Sequence, residues 1–151
     1  MSRRTFVFCG PGIEAAAPIF ADSDDELHEA MRFMKTSPIK GKAFVRLPFF
    51  SLSMPLFYRV AMTHYPHDHI WGVDNMWTNA RPSDLIPHLK RMSETLPPPP
   101  SHVLWLNWFP PKMRPDMAFS MESDVYLALY GSWKSASDSN RYENWATDHM
   151  K

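Results

Sequence analysis

His64, His67 and His69 flank Asp68 in the run His64-Tyr65-Pro66-His67-Asp68-His69, the densest group of chemistry-bearing side chains in the sequence. Neutral imidazoles and a carboxylate are zinc ligands. Their spacing of three and then two, broken by Pro66, matches no ligand pattern, so the run reads as a solvated turn and not as a metal site. Cys9, the single cysteine, precedes Gly10-Pro11-Gly12. A thiol nucleophile needs an adjacent base. No convincing partner is near in sequence, and Cys9 reads as a small apolar residue ending a strand. One cysteine allows neither an internal disulfide nor a cysteine metal cluster, which suits a reducing, cytoplasmic compartment.

Lys112 and Arg114, set between prolines, have the chemistry to hold an anion or a carboxylate. Asp116, Glu122 and Asp124 form an acid–base pair only if folding closes them into one site. The sequence has no Gly-x-Gly-x-x-Gly, phosphate loop or Gly-x-Ser-x-Gly. With five glycines in all, no redox-cofactor site can be read from the residues, and no catalytic motif is complete.

The 151 residues are 44% hydrophobic and 21% charged, the size and balance of one globular domain. Sixteen basic residues balance sixteen acidic ones. Zero net charge argues against electrostatically driven nucleic-acid binding and lowers the barrier to self-association. Arg3-Arg4, the apolar stretch 5–9 and Ala15-Ala16-Ala17 superficially resemble a signal peptide. The stretch is too short and is interrupted by residues 10–12 and Glu14, so it reads as a strand and turn. No run is long enough for a membrane span. Six Trp and eleven Met suit an adaptable apolar surface as well as a core.

Elements must position these groups. Strands are predicted over 5–9, 17–20 and 43–47, with an apolar loop over 48–55. A helix over 22–35 is capped by Ser23 with Glu26 three residues on, and Leu27, Ala30, Met31 and Met34 form one face. A short helix over 56–64 and a turn over 65–68 precede a strand over 70–78. A helix from 82 to about 96 follows, with Leu85, Ile86, Leu89, Met92 and Leu96 apolar. Residues 97–100, all proline, predict a stiff extended spacer. Strands are expected over 102–109, 117–121 and 124–133, a loop over 110–115, a polar turn over 135–140 and a final helix over 141–150. This order predicts an α+β domain spanning 1–151, an antiparallel sheet with helices packed on one face.

Alternation then divides the strands. Val125, Leu127 and Leu129 suit the helix side, with Tyr126, Ala128 and Tyr130 opposite. Leu104 and Leu106 suit the helix side, leaving Trp105 and Asn107 opposite. On 70–78, either Asp74 and Met76 or Asn75 and Trp77 face away. One sheet face would present Trp, Asn and Tyr together, as a ligand-pocket wall or a dimer interface.

The runs Val73-Asp74-Asn75-Met76-Trp77-Thr78, Ser101-His102-Val103-Leu104-Trp105-Leu106-Asn107-Trp108, Arg114-Pro115-Asp116-Met117-Ala118-Phe119-Ser120, Asp124-Val125-Tyr126-Leu127-Ala128-Leu129-Tyr130-Gly131-Ser132-Trp133 and Arg141-Tyr142-Glu143-Asn144-Trp145-Ala146-Thr147-Asp148 resemble, in their pattern of strands and aromatics, the C-terminal substrate-binding (cap) domain of FAD-linked oxidases of the vanillyl-alcohol oxidase and berberine-bridge group. The resemblance extends from about Ala17 onward. It implies a ferredoxin-like cap domain whose open sheet face covers the isoalloxazine ring and a small-molecule substrate. It implies that Trp105, Asn107, Tyr126 and Tyr130 line the substrate pocket, with Asp74, Asn75 and Trp77 as neighbours, and that Tyr126 or Tyr130 assists proton removal. The family's FAD-binding domain has no counterpart in this sequence. The resemblance therefore implies a fragment of a larger flavoprotein, or a subunit that works with a flavin-bearing partner and is inactive alone.

Overall fold

A computed structural model describes residues 2–10, 13–42, 45–51, 53–107 and 123–151. Where the length suggests one domain, the chain divides into two compact units, Met1–Thr63 and His64–Lys151. Both are α+β, and each holds a three-stranded antiparallel sheet. No helix among the described residues is long and apolar enough to cross a membrane.

In the first unit, β1 (Ser2–Gly10) pairs with both β2 (Ile13–Ala21) and β3 (Val45–Ser51). Strand β3 runs through Pro48, in the stretch expected as a loop. Pro48 falls at the register shift between the Thr5 and Val7 pairings, where the ladder skips a residue and asks no N–H of it. Cys9 is in β1, opposite Glu14 and Val45. The helix expected over 22–35 is two helices, α1 (Asp24–Ala30) and α2 (Arg32–Thr36). The cap is as expected: the Ser23 hydroxyl accepts from Glu26 N–H at 3.1 Å, and Glu26 reaches back to Asp22 N–H at 2.9 Å. Leu27 and Met31 are buried. Helix α3 (Met54–Met62) is capped by Ser53 and exposes Met54, Leu56, Tyr58 and Val60.

The second unit has strand order β4-β6-β5, with β4 at Ile70–Thr78, β5 at His102–Asn107 and β6 at Val125–Trp133. Helix α4 (Pro82–Glu94) starts at a proline, where the first turn needs no N–H. The final helix is broken into α5 (Ser139–Tyr142) and α6 (Trp145–Met150). One core joins Leu127 and Leu129 of β6 to Met92 of α4 and to Trp145 and Ala146 of α6. Burying each of the large side chains contributes about 1.5–3 kcal/mol. On α4, Leu85 and Met92 are buried but Ile86 is 62% exposed. Positions 85, 89 and 92 follow the helical repeat, and 86 lies about 100° away from 85. Thr95 ties the two helices together: its hydroxyl donates to Arg91 C=O at 3.0 Å, accepts from Trp145 Nε1 at 3.1 Å and meets His149 Nε2 at 2.8 Å.

Two details set the sheet's edges. The proline run is a turn, not an extended spacer, closed by Ser101 N–H to Pro98 C=O at 3.1 Å. The buried Ser101 hydroxyl extends the β5–β6 ladder by accepting from Ser132 N–H at 2.8 Å. Ser101→Ala leaves that N–H unpaired and is expected to destabilise the fold by about 1–3 kcal/mol, measured by urea denaturation. Gly72 and Gly131 stand opposite each other on β4 and β6. A side chain at Gly72 would meet Glu143 C=O at 3.0 Å and the Trp133 ring at 3.4 Å, and one at Gly131 would meet the Trp145 ring at 3.3 Å. The α5–α6 turn is thus seated on bare backbone. Gly72→Ala is expected to cost about 1–3 kcal/mol by overpacking, whereas Gly41→Ala, where nothing lies within 4 Å, leaves the melting temperature unchanged. Equal melting temperatures for the two variants would rule out the close seat.

Candidate functional site: an aromatic sheet face

The register assigns every side chain of the second sheet to a face, because directly paired residues project to the same side. Leu127 pairs with Met76 and with Trp105, Leu129 with Asp74 and Val103, and Val125 with Thr78 and Asn107. These lie on the helix-covered side, where Met76, Val103 and Trp105 pack on the core. Tyr126 pairs with Trp77 and Leu106, Ala128 with Asn75 and Leu104, and Tyr130 with Val73 and His102. These form the other face.

The site residues read from the sequence therefore divide. Tyr126, Tyr130, Asn75 and Trp77 share the face away from the helices, which settles the choice left open on β4. Trp105, Asn107 and Asp74 are on the helix side, opposite to the placement expected for Trp105 and Asn107. The physical reason is that β5 is apolar on both faces, so alternation fixes its period and not its sense. Trp105 Nε1 donates to Asn107 Oδ1 at 2.9 Å, so the indole satisfies the amide locally. Asp74 Oδ1 accepts from Asn75 N–H at 2.8 Å.

The aromatic face has two ring groups. At one end, Trp77 and Tyr126 tilt together with centroids 5.1 Å apart. At the other, His102 stacks on Tyr130 at 4.6 Å and 13°. Tyr65 closes on both edge-on, at 5.5 Å from His102 and 5.3 Å from Tyr130, and lies 5.7 Å from Trp71. Trp71 Nε1 donates to Pro66 C=O at 3.4 Å. Buried Ala128 separates the groups, while Val73 and Leu106 are 48% and 45% exposed. Ser132, buried beside Trp71 in register, has a hydroxyl with no hydrogen-bond partner among the described residues.

Burial pushes the Tyr126 and Tyr130 hydroxyls above the ordinary phenol value, and neighbouring tyrosines add to the effect. Both are neutral donors near pH 7, and their surroundings do not prepare either as a phenolate base. His102 is the better proton acceptor. Burial lowers its pKa, the Pro100 carbonyl opposes that, and His64 adds to it. Its Nδ1 donates to Pro100 C=O at 2.9 Å, leaving Nε2 as the acceptor, 3.4 Å from the Tyr65 hydroxyl. His102, Tyr65 and Trp71 did not stand out in the sequence. The usable signal was the alternation His102, Leu104, Leu106, once Tyr130 is known to pair with His102.

The histidine-rich run does not converge. Asp68 bonds His69 Nδ1 at 2.8 Å and Lys134 Nζ at 3.0 Å, and no group of three metal-ligating side chains occurs among the described residues. Lys112, Arg114, Asp116 and Glu122, with the strand expected over 117–121, lie outside the described residues. Comparison of the chain with family models, curated proteins and solved structures found no match.

The two faces predict opposite mutational behaviour. Trp105→Ala is expected to cost about 2–3 kcal/mol, below the range for a fully buried ring because Trp105 is partly exposed. Leu106→Ser changes stability by less than about 0.5 kcal/mol. Chemical denaturation of both variants checks the register, and the reverse order would overturn it.

Proposed function

We propose that the His64–Lys151 unit is a recognition module that takes a planar small molecule on its aromatic sheet face, as the substrate-binding domain of an FAD-dependent oxidoreductase does. The observation that supports this is the two-sided sheet: one face is committed to α4 and α6, and the other carries two aromatic groups with the Asn75 amide beside them. Rings offer stacking area at low entropic cost, and a few polar groups orient what stacks. The face suits the ring system of a flavin or an aromatic substrate and not the FAD pyrophosphate. None of its described residues is Lys or Arg, and a buried pyrophosphate requires cations or a glycine-rich helix start. On this reading a flavin-bearing domain or subunit holds the pyrophosphate, and the bound flavin supplies hydride-accepting chemistry. Tyr126 and Tyr130 donate hydrogen bonds to the ligand, and Trp77 stacks on it.

A second reading, a homodimer closed through this face, draws on the half-exposed Val73 and Leu106 and on the zero net charge. The two readings separate in one set of measurements on the whole chain. Lumiflavin, the isoalloxazine ring without its pyrophosphate, is titrated while amide and indole NMR signals are followed. Shifts at Trp77, Leu104, Leu106 and Tyr126 are expected. Trp77→Ala with Tyr126→Ala is expected to weaken binding by about tenfold, equivalent to ~1.4 kcal/mol of lost stacking. Shifts confined to Trp105, Trp145 and α6, or none at all, overturn the proposal. A dimer in sedimentation that Leu106→Glu abolishes establishes the second reading instead.

A further inference from the structure

Residues 64–69 lead into β4 and lie against the His102–Tyr130 end of the aromatic face. Three contacts hold them there: a ring cluster, an ion pair and, between these, the hydrogen bond from Trp71 Nε1 to Pro66 C=O at 3.4 Å, which opening must also break. At one end the Tyr65 ring packs on His102, Tyr130 and Trp71, with the His64 ring 6.5 Å from His102. At the other end the Asp68 carboxylate bonds His69 Nδ1 and also Lys134 Nζ, just past β6.

We propose that residues 64–69 form an acid-released latch: protonation of His102 frees the Tyr65 end from the sheet while the Asp68 end stays tied, so that the segment swings open about Asp68.

The closed arrangement favours a neutral His102 because it half-buries the ring; the Tyr65 hydroxyl itself can donate to a bare Nε2 or accept from a protonated one. Its Nδ1–H is committed to Pro100 C=O, and Nε2 faces the Tyr65 hydroxyl as an acceptor. Protonation puts a second N–H and a charge among half-buried rings. The groups that face it are Tyr65 and His64 from the latch, Tyr130 from β6 and the Pro100 carbonyl from the preceding turn. None is a carboxylate, and His64 repels it when charged. The Tyr130 face attracts a cation, so the stack survives protonation. Tyr65 is the contact given up, because its departure lets water reach Nε2. The sign follows from burial. Folded His102 takes its proton less readily than a free imidazole, so the closed state has its full advantage above about pH 6.5 and loses it as the pH falls through the lower folded value.

The far end is held independently of that proton. Lys134 first, and then His69, hold the Asp68 carboxyl below its ordinary value, so it stays ionised in this window. Acid therefore loosens one end of the segment and leaves the other tied, and this does not depend on what the face binds.

The test is NMR of the whole chain with labelled Tyr and His rings, from about pH 7.5 to about pH 5. The Tyr65–Tyr130 inter-ring NOEs are expected to vanish along the titration curve of the His102 ring, while the Lys134 Nζ resonance keeps its paired shift. In His102→Phe, which keeps a stacking ring and removes the proton site, the NOEs are expected to persist across the range. The proposal is overturned if wild-type NOEs survive His102 protonation, or if they vanish in the variant at the wild-type midpoint. Should the variant not fold, the wild-type midpoints decide alone: a separation of more than roughly one pH unit between NOE loss and His102 titration rejects the latch.

Discussion

Strand β6 bears a neighbour on each side, and its alternation governs the whole of the second unit. Val125, Leu127, Leu129 and Trp133 take the helices; Tyr126, Ala128 and Tyr130 take the other side. Because β4 and β5 both pair directly with β6, each of their residues inherits a face from its partner there. A slip of one residue in either pairing would exchange the aromatic face for the core face. The Ser101 hydroxyl, bonded to Ser132 N–H, and the Gly72–Gly131 step, which admits the α5–α6 turn, both guard against such a slip.

Much of both units was legible in the sequence. The β4 and β6 strands, the Pro82 helix start and the Ser23 cap each rest on local chemistry: a period of two, a proline at a position without a donor, a hydroxyl before a helical repeat. The sense of β5 was not legible. His102, Leu104 and Leu106 are no more polar than Val103, Trp105 and Asn107, and only non-local pairing with Tyr130, Ala128 and Tyr126 distinguishes them. The breaks at Met31 and between Tyr142 and Trp145 were hidden for a related reason, since apolar residues recur on both sides of each break. Tyr65 escaped notice because it reads as a turn residue until His102 and Tyr130 are placed around it.

The chemistry of the aromatic face differs accordingly from what residue types alone suggest. Tyr126 and Tyr130 are the obvious proton-transfer candidates by type, yet burial moves both phenols further from ionisation. His102, inconspicuous at the start of β5, has one nitrogen fixed by a carbonyl and the other facing the Tyr65 hydroxyl as an acceptor. A ligand seated here would meet donors from the tyrosines and an acceptor from the histidine, an asymmetry that would orient a molecule with distinct polar edges.

The division of the indoles between the two faces has an optical consequence. Trp71 and Trp77 lie on the aromatic face, whereas Trp105, Trp133 and Trp145 lie on the helix side, with Trp133 and Trp145 bonded through Nε1 to Ser139 and Thr95. Emission from the second group reports whether the interior is assembled. Emission from the first reports what touches the surface or lifts away from it. The described indoles thus form two gauges, one of the interior and one of the sheet's other face, which respond to different events in the same protein.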